Sequence, residues 1–239
     1  MTRTEYTFKA KLCDGNIKLG NMATFSKLMG DDDYITPVGI VKGSCGKHCA
    51  GCKHACYVKK SYRYPSVVLG HARNTLAMRL DIDQAFNDID KQLSRKRHPF
   101  AVVRVHQSGE IESPLELLKW VLLARKHPES VFYTYTKNFN AVYALISSIR
   151  NGFEMPDNFI INLSVWHEYG MKEYEDLKEY SFIKAFVYMD GFDYESNGLN
   201  IQTTCTAYDN DGKLNHAITC DKCKKCFGKT FKVIGCLDH

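Results

Sequence analysis

Several features that the 239-residue sequence lacks narrow its class before any motif is considered. No apolar run approaches the ~18 residues that a membrane-spanning helix needs, so we expect no membrane partner. The start has no apolar segment typical of a secretory signal peptide. Residues 57–204 contain no cysteine, whereas a disulfide framework would distribute its cysteines along the chain. Together these absences predict a cytoplasmic protein with reduced thiols.

The sequence also shows no internal repeat and no low-complexity tract. Its 44% of hydrophobic residues is enough to bury the core of a single domain of this length. The net charge of +5 is modest, and part of the excess lies in lysines beside the cysteines. Those lysines could offset the negative charge of a thiolate-bound cluster, or they could attract nucleic-acid phosphate. The sequence leaves both interpretations open.

What the chain does have is ten cysteines, most of them in two groups. The first group, Cys45, Cys49, Cys52 and Cys56, occupies twelve positions. Thiolates are soft ligands that favour zinc, copper(I) or iron–sulfur clusters. Three of these cysteines have the spacing C-x3-C-x2-C. Three ligands leave one iron of a [4Fe–4S] cluster open for chemistry, whereas a structural zinc site closes with four.

The second group predicts a C-terminal metal site on Cys205, Cys220, Cys223 and Cys226. Its repeated two-residue gaps are typical of ferredoxin loops and favour an auxiliary [4Fe–4S] cluster, with Cys205 as the fourth ligand. Zinc is the alternative, because it would bind the same four residues tetrahedrally. Cys236 could replace Cys205 or could be a buried apolar residue.

Between the two groups, strand and helix patterns alternate about six times. Strands are predicted at 35–41, 100–106, 131–136, 159–164, 183–189 and 199–203, and helices at 66–96 with a break at Asp81, 113–126, 138–150 and 171–180. Such alternation favours a parallel sheet with helices outside. We therefore predict an α/β fold: a partial (β/α)6-type barrel at 35–203, after a short N-terminal extension at 1–34 with a strand or two and before a cysteine-rich metal-binding segment at 204–239.

Polar residues stand at the carboxyl ends of the predicted strands, where parallel sheets carry their sites. They are His106, Ser108-Gly109-Glu110, Tyr135-Thr136-Lys137-Asn138, Asn162, Ser164, Trp166, His167, Asp190 and Gln202. Each of these residues could also have a purely structural role. A lone histidine at a strand end is more often a hydrogen-bonded core residue, and tyrosines in a strand are first of all strand formers. Their expected convergence at one edge of the sheet is what predicts a site.

The cysteine loop after a strand, followed one βα unit later by a strand that ends in Ser108-Gly109-Glu110, resembles the radical S-adenosylmethionine superfamily. The resemblance implies that three cysteines bind a [4Fe–4S] cluster whose open iron takes the amino and carboxylate groups of S-adenosylmethionine. It further implies an electron donor such as flavodoxin or ferredoxin, and reductive cleavage to methionine and a 5′-deoxyadenosyl radical that abstracts a substrate hydrogen.

The same resemblance implies roles for the strand-end residues. In the superfamily a Gly-Gly-Glu turn holds the methionine amino group, and Ser108-Gly109-Glu110 departs from it at one position. Glu110 can still accept a hydrogen bond from an ammonium, with His106 beside it. Asn162, Ser164 and Gln202 are the candidates for binding the ribose and the carboxylate.

More specifically, the chain resembles a family of phage and bacterial gene products that are similar to radical S-adenosylmethionine proteins. The matching pieces are 18–21, 24–26, the cysteine loop ending at Tyr57, 104–110, 132–137 and the terminal cysteines with His239. That family's spacing, C-x6-C-x3-C-Tyr, implies Cys45, Cys52 and Cys56 as ligands and leaves Cys49 as an extra. It usually carries Asp at the position of Glu110, a change that keeps the carboxylate.

A different class of function stays open on the sequence alone. A non-enzymatic protein stapled by zinc at both cysteine groups could bind nucleic acid. Its lysines would then contact phosphates, and Tyr133, Tyr135 and Trp166 would stack on bases. The identity of a substrate cannot be inferred from residue types.

Overall fold

The computed structural model describes residues 8–15, 18–46, 52, 56–95, 100–167, 169–189, 191–207, 215 and 217–237. Three residues named in the sequence predictions, Cys49, Asp190 and His239, lie outside the described residues. No helix in the described part combines the length and the apolar character that crossing a bilayer requires.

The protein has a mixed α/β fold around a mostly parallel sheet. Its strands are β1 (Cys13–Asp14), β2 (Ala23–Phe25), β3 (Asp33–Thr36), β4 (Gly39–Lys42), β5 (Val102–Val105), β6 (Val131–Thr136), β7 (Phe159–Val165), β8 (Ile183–Met189), β9 (Thr203–Thr204) and β10 (Val233–Leu237). Eight of them form one sheet in the order β1-β2-β5-β6-β7-β8-β10-β9. The edge strand β1 runs antiparallel to β2, and the other neighbours in this sheet are parallel.

The predicted helices are present with small shifts at their ends. They are α1 (Pro65–Leu80), α2 (Ile82–Leu93), α3 (Pro114–Lys126), α4 (Phe139–Arg150) and α5 (Met171–Leu177), with a 3₁₀ helix at Tyr57–Arg63 and a short α6 at Cys220–Cys223. Asp81 ends α1 and caps α2, where its carboxylate accepts the N–H of Gln84, so the predicted break is confirmed. Ser113 caps α3 by accepting the N–H of Glu116. These caps explain why each helix begins where it does.

The predicted strand at 35–41 is wrong, because this segment folds back on itself. Strands β3 and β4 form a separate two-stranded antiparallel hairpin, in which Thr36 pairs with Gly39. Pro37 stands at the second position of the turn between them, which its fixed φ favours, and it cannot donate to a strand ladder. The parallel sheet instead receives its first parallel strand from β2, whose three residues are buried. The segment predicted as an N-terminal extension therefore contributes to the central sheet.

Buried aromatic packing joins α3 to β2 and α2. Trp120 of α3 is fully buried, and its ring lies 5.3 Å from that of Phe25 and 4.9 Å from that of Phe86, measured between centroids. Burying one such ring contributes about 2–3 kcal/mol to stability. Because β2, β5, β6, β7 and β8 are parallel, their carboxyl ends meet at one edge of the sheet. The polar residues that follow these strands lie at that edge.

Candidate functional site

A cavity of about 220 Å³ opens at the carboxyl edge of the parallel strands. Residues that end or follow β5, β6 and β7 line it, and so do residues of β8 and β10. Both cysteine groups reach it. Its cysteines are Cys45, Cys52 and Cys56 from the first group and Cys205, Cys220, Cys226 and Cys236 from the second. The fold thus brings to one cavity two groups that lie some 150 positions apart in the sequence.

The described thiols of the first group, Cys45, Cys52 and Cys56, are half-buried. The Sγ of Cys45 accepts the N–H of Gly30 at 3.1 Å, and the Sγ of Cys56 lies 3.6 Å from the Sδ of Met29. Burial, then the carboxylate of Glu110, raise the pKa of Cys45, and Cys52 and Cys56 add to the shift. Burial also raises the pKa of Cys56. Cys45 and Cys56 are therefore protonated at neutral pH unless a cation compensates them.

The thiols of this group are suitable ligands for a metal cluster, although the described side chains do not converge on a single metal position. Among the described residues, which exclude Cys49, no three His, Cys, Asp or Glu side chains converge closely enough to hold a metal ion. A cation is already present beside the thiols. Although burial opposes its charge, Lys137 has a raised pKa because Cys52 and Glu110 lie next to it.

The turn Ser108-Gly109-Glu110 is fixed to the start of the cysteine loop. Gly109 has a φ of +83°, and a Cβ there would lie 2.4 Å from the Oγ of Ser44 and 2.8 Å from the Cβ of Lys27. The same Oγ accepts the N–H of Glu110 at 3.1 Å. Since Ser44 precedes Cys45, any movement of the turn is transmitted to the cysteine loop.

The carboxylate of Glu110 has a strong structural role. Its Oε1 accepts the hydroxyl of Thr136 at 2.6 Å and the N–H of Ile111 at 2.8 Å, and its Oε2 accepts the N–H of Lys137 at 2.8 Å. A carboxylate has about four acceptor positions, so one of them is left for a ligand on the cavity. Glu110 therefore ties β5 to β6 and can still bind one donor.

His106 is held by a buried ion network beneath the cavity. Its Nε2 lies 2.8 Å from Oε1 of Glu116, and Oε2 of Glu116 lies 2.9 Å from the Nζ of Lys27. Although burial favours the neutral acid, Lys27 and His106 hold the pKa of Glu116 well below its ordinary value. The Nδ1 of His106 is buried without a hydrogen-bond partner among the described residues. The expected hydrogen-bonded histidine is therefore present, and it also lines the cavity.

Arg104 and Lys18 line the cavity as well, and sequence reasoning gave them no role. The Nη2 of Arg104 donates to the hydroxyl of Tyr57 at 3.1 Å, and its guanidinium lies 4.8 Å from the ring centroid of Tyr135. The signal that could have found Arg104 is a charged residue inside the otherwise apolar strand β5. No sequence pattern indicates that Lys18 reaches the cavity, because its position depends on tertiary contacts.

Two predicted cofactor-binding residues do not reach the cavity. Asn162 is fully buried inside β7, where its Nδ2 donates to the carbonyls of Thr134 and Cys226 at 3.1 Å each. The Oε1 of Gln202 accepts the backbone N–H groups of Lys232 and Val233, at the amino end of β10. The strand predicted at 199–203 is β9, which comprises only Thr203–Thr204. Gln202 therefore lies before this strand and not at its carboxyl end.

Other predicted residues do line the cavity. Ser164 and Trp166 lie on its wall, and the ring of Trp166 stacks on Tyr188 with centroids 3.9 Å apart. Tyr133 is 1% exposed and packs against Phe227, so it serves first as a strand former in the core. A flat aromatic wall therefore faces the cavity, while the ring of Tyr133 is not available to an outside partner.

The second cysteine group also encloses a small void. Cys205, Cys220, Cys223 and Cys226 line a cavity of about 20 Å³. The backbone N–H of Cys220 donates to the carbonyl of Lys18 at 2.9 Å, which fixes α6 against the N-terminal segment. A hydrogen bond between the thiols of Cys205 and Cys236 lowers the pKa of Cys205 and raises that of Cys236.

With this geometry in hand, the chain can be compared with known proteins. A family model described as gene product 88 matches residues 10–229. The chain belongs to the gene product 88 family. The match covers β1 to β9, the 45–56 loop and Cys220, Cys223 and Cys226, and it ends before β10. No curated protein and no solved structure matches the chain. The family description names no activity, so the resemblance to the radical S-adenosylmethionine superfamily stays a prediction.

Proposed function

We propose that this protein is an enzyme of the radical S-adenosylmethionine type. One observation carries the proposal: Cys45, Cys52, Cys56 and Glu110 line a single cavity at the carboxyl edge of parallel strands. A soft-ligand group and a carboxylate that retains a free acceptor position are the two parts that such a cofactor pair requires. As part of the same proposal, the parallel strands are taken as a partial (β/α)6 barrel.

Of the ligand sets implied by the resemblance, we favour Cys45, Cys52 and Cys56. Cys52 and Cys56 raise the pKa of Cys45, Cys52 raises that of Cys56, and all three residues line the same cavity, which supports a common ligand. When bound, a [4Fe–4S] cluster on these thiolates supplies the electron that cleaves S-adenosylmethionine reductively. The chain's own contribution is to hold the thiolates, with the ammonium of Lys137 offsetting their negative charge.

The turn after β5 would hold the amino acid part of S-adenosylmethionine. The remaining acceptor position of Glu110 and the backbone of Ser108 and Gly109 would receive its ammonium. The buried network of Lys27, Glu116 and His106 keeps that turn in position from below. Ser164 and the stacked ring of Trp166 then offer a hydroxyl and a flat surface for the nucleoside.

At the C-terminal site we infer zinc as the occupant, in preference to an auxiliary [4Fe–4S] cluster. The cavity of about 20 Å³ between Cys205, Cys220, Cys223 and Cys226 has room for roughly one water-sized species. A single tetrahedral ion needs less space than a four-iron cube, so the small void supports zinc. Zinc there would anchor α6 to the sheet.

The experiment is anaerobic purification and reconstitution, followed by metal analysis and an assay for 5′-deoxyadenosine under dithionite. The proposal predicts about four irons and about one zinc per chain, and formation of 5′-deoxyadenosine. Cys52→Ala should abolish the product, while the matched control Cys13→Ala, at an exposed thiol away from the cavity, should not. A colourless protein that contains only zinc would contradict the proposal and would favour the nucleic-acid-binding alternative.

A further inference from the structure

We propose that the part of the cavity around Arg104 and Lys18 binds an oxyanion of the substrate, either a carboxylate or a phosphate group. The assignment of this oxyanion to a substrate rests on the proposed function, whereas the anion site itself does not. Arg104 is the central observation. Its described contacts are to the hydroxyl of Tyr57 and the ring of Tyr135, and its Nε is buried without a hydrogen-bond partner among the described residues.

A buried guanidinium normally has a carboxylate beside it, because an unpaired charge in a low-dielectric site is costly. Tyr57 and Tyr135 are neutral, and among the described residues no carboxylate pairs with Arg104, whose neighbours of potential negative charge are thiols of the second group. The planar fork of arginine matches carboxylate and phosphate oxygens in a bidentate manner. The geometry therefore leaves the donors of Arg104 available to an oxyanion in the cavity.

A second cation lies at the same place. The Nζ of Lys18 is 5.8 Å from the ring centroid of Tyr57, the same residue whose hydroxyl contacts Arg104. Two like charges on opposite parts of one tyrosine repel each other, and an oxyanion between them would relieve that repulsion.

This anion site differs from the part of the cavity assigned to the cofactor. Lys137 has Cys52, Glu110 and Cys45 as its charged or thiol neighbours, whereas Arg104 and Lys18 both lie near the thiols of Cys205 and Cys220 in the second group. The backbone of Lys18 is itself bound to Cys220. The oxyanion would thus sit beside the second cysteine group and leave the first group to the cofactor.

The test measures binding of inorganic phosphate and of acetate to the anaerobically purified full-length protein at constant ionic strength, by isothermal titration calorimetry. Arg104→Gln should weaken binding of the preferred anion by about tenfold or more. The matched control Arg73→Gln removes the same charge from an exposed position on α1 and should leave binding unchanged. If Arg104→Gln does not fold, Lys18→Met takes its place with the same expectation.

Equal binding by wild type and both cavity variants, or no saturable binding of either anion, would overturn the inference. Competition between the anion and S-adenosylmethionine would assign Arg104 to the cofactor's carboxylate and would also overturn it. So would loss of anion binding when zinc fills the second cysteine group, because Arg104 and Lys18 would then neutralise thiolates. An Arg104-dependent anion site in a protein that forms no 5′-deoxyadenosine would sustain the site and refute only the proposed function.

Discussion

Replacing Lys27 with methionine removes a cation on which the buried network depends. The side chain of Lys27 is fully buried, and its Nζ lies 2.9 Å from carboxylate oxygens of both Glu112 and Glu116. Methionine fills a similar volume but cannot neutralise either carboxylate. Glu116, whose side chain is 3% exposed, would keep His106 and the N–H of Glu112 as partners but would lose its nearest full positive charge.

Breaking a buried ion pair by removing one partner costs about 3–5 kcal/mol, because an uncompensated charge is left behind. Glu116 retains two hydrogen bonds, and Arg79 still contacts Glu112 at 2.6 Å. We therefore expect Lys27→Met to lower the free energy of unfolding by about 3 kcal/mol, the lower end of that range. The variant should also bind the proposed cofactor less tightly, since the network supports the Ser108–Glu110 turn.

Urea unfolding followed by circular dichroism measures this difference. The control Lys172→Met removes the same charge from a surface pair, in which Lys172 is 82% exposed and lies 2.9 Å from Asp176, and it should have little effect. Acid gives a second readout. Glu116 has a folded pKa below its ordinary value of 4.5, so its stabilising contribution is present above pH 4.5 and is lost as the pH falls.

The difference between wild type and Lys27→Met should therefore narrow as the pH falls below about 4.5. Equal effects of Lys27→Met and Lys172→Met at neutral pH would refute the reasoning, and so would a difference that does not change with acid.

Two further predictions concern the turn and a buried histidine. Gly109→Ala should lower the free energy of unfolding by about 2–3 kcal/mol, because the added Cβ clashes with its neighbours and φ is positive. The control Gly152→Ala, at a φ of +95° in open space, should lower it by only about 1 kcal/mol. Equal losses for the two variants in urea unfolding would contradict the fixed turn. Burial lowers the pKa of His71 to about 4 from 6.5, so stability should fall by up to about 3 kcal/mol as the pH drops through this window. In His71→Gln, the free energy of unfolding should no longer fall with pH in this window, as measured by urea unfolding at a series of pH values. An unchanged slope of stability against pH would contradict this prediction.

The regular elements could be predicted from sequence because their signals are local. Apolar residues at helical spacing located α1 to α5, and the side chains of Asp81 and Ser113 fixed two helix starts through hydrogen bonds within a few residues. The alternation of strands and helices then predicted a parallel sheet, which the structure confirms in the coarser form of a mixed α/β fold. The carboxyl-edge position of Ser108–Glu110 followed from the same rule.

The remaining features depend on tertiary contacts that no local pattern carries. The sequence predicts a strand or two in residues 1–34, but β2 is only three residues long, so no periodicity could show that it joins the central sheet. Pro37 turns one predicted strand into a hairpin. The cations of Arg104 and Lys18 meet across Tyr57 only once the N-terminal segment packs beside α6. The small void among the C-terminal cysteines likewise needs the folded loop.

The most direct test of the central claim is Mössbauer spectroscopy of ⁵⁷Fe-reconstituted protein with and without S-adenosylmethionine. If Cys45, Cys52 and Cys56 hold three irons of a cluster, one iron of the four should differ from the others, and its signal should change when S-adenosylmethionine is added. Four equivalent thiolate-bound irons that do not respond to S-adenosylmethionine, or no iron at all on this loop, would contradict the account.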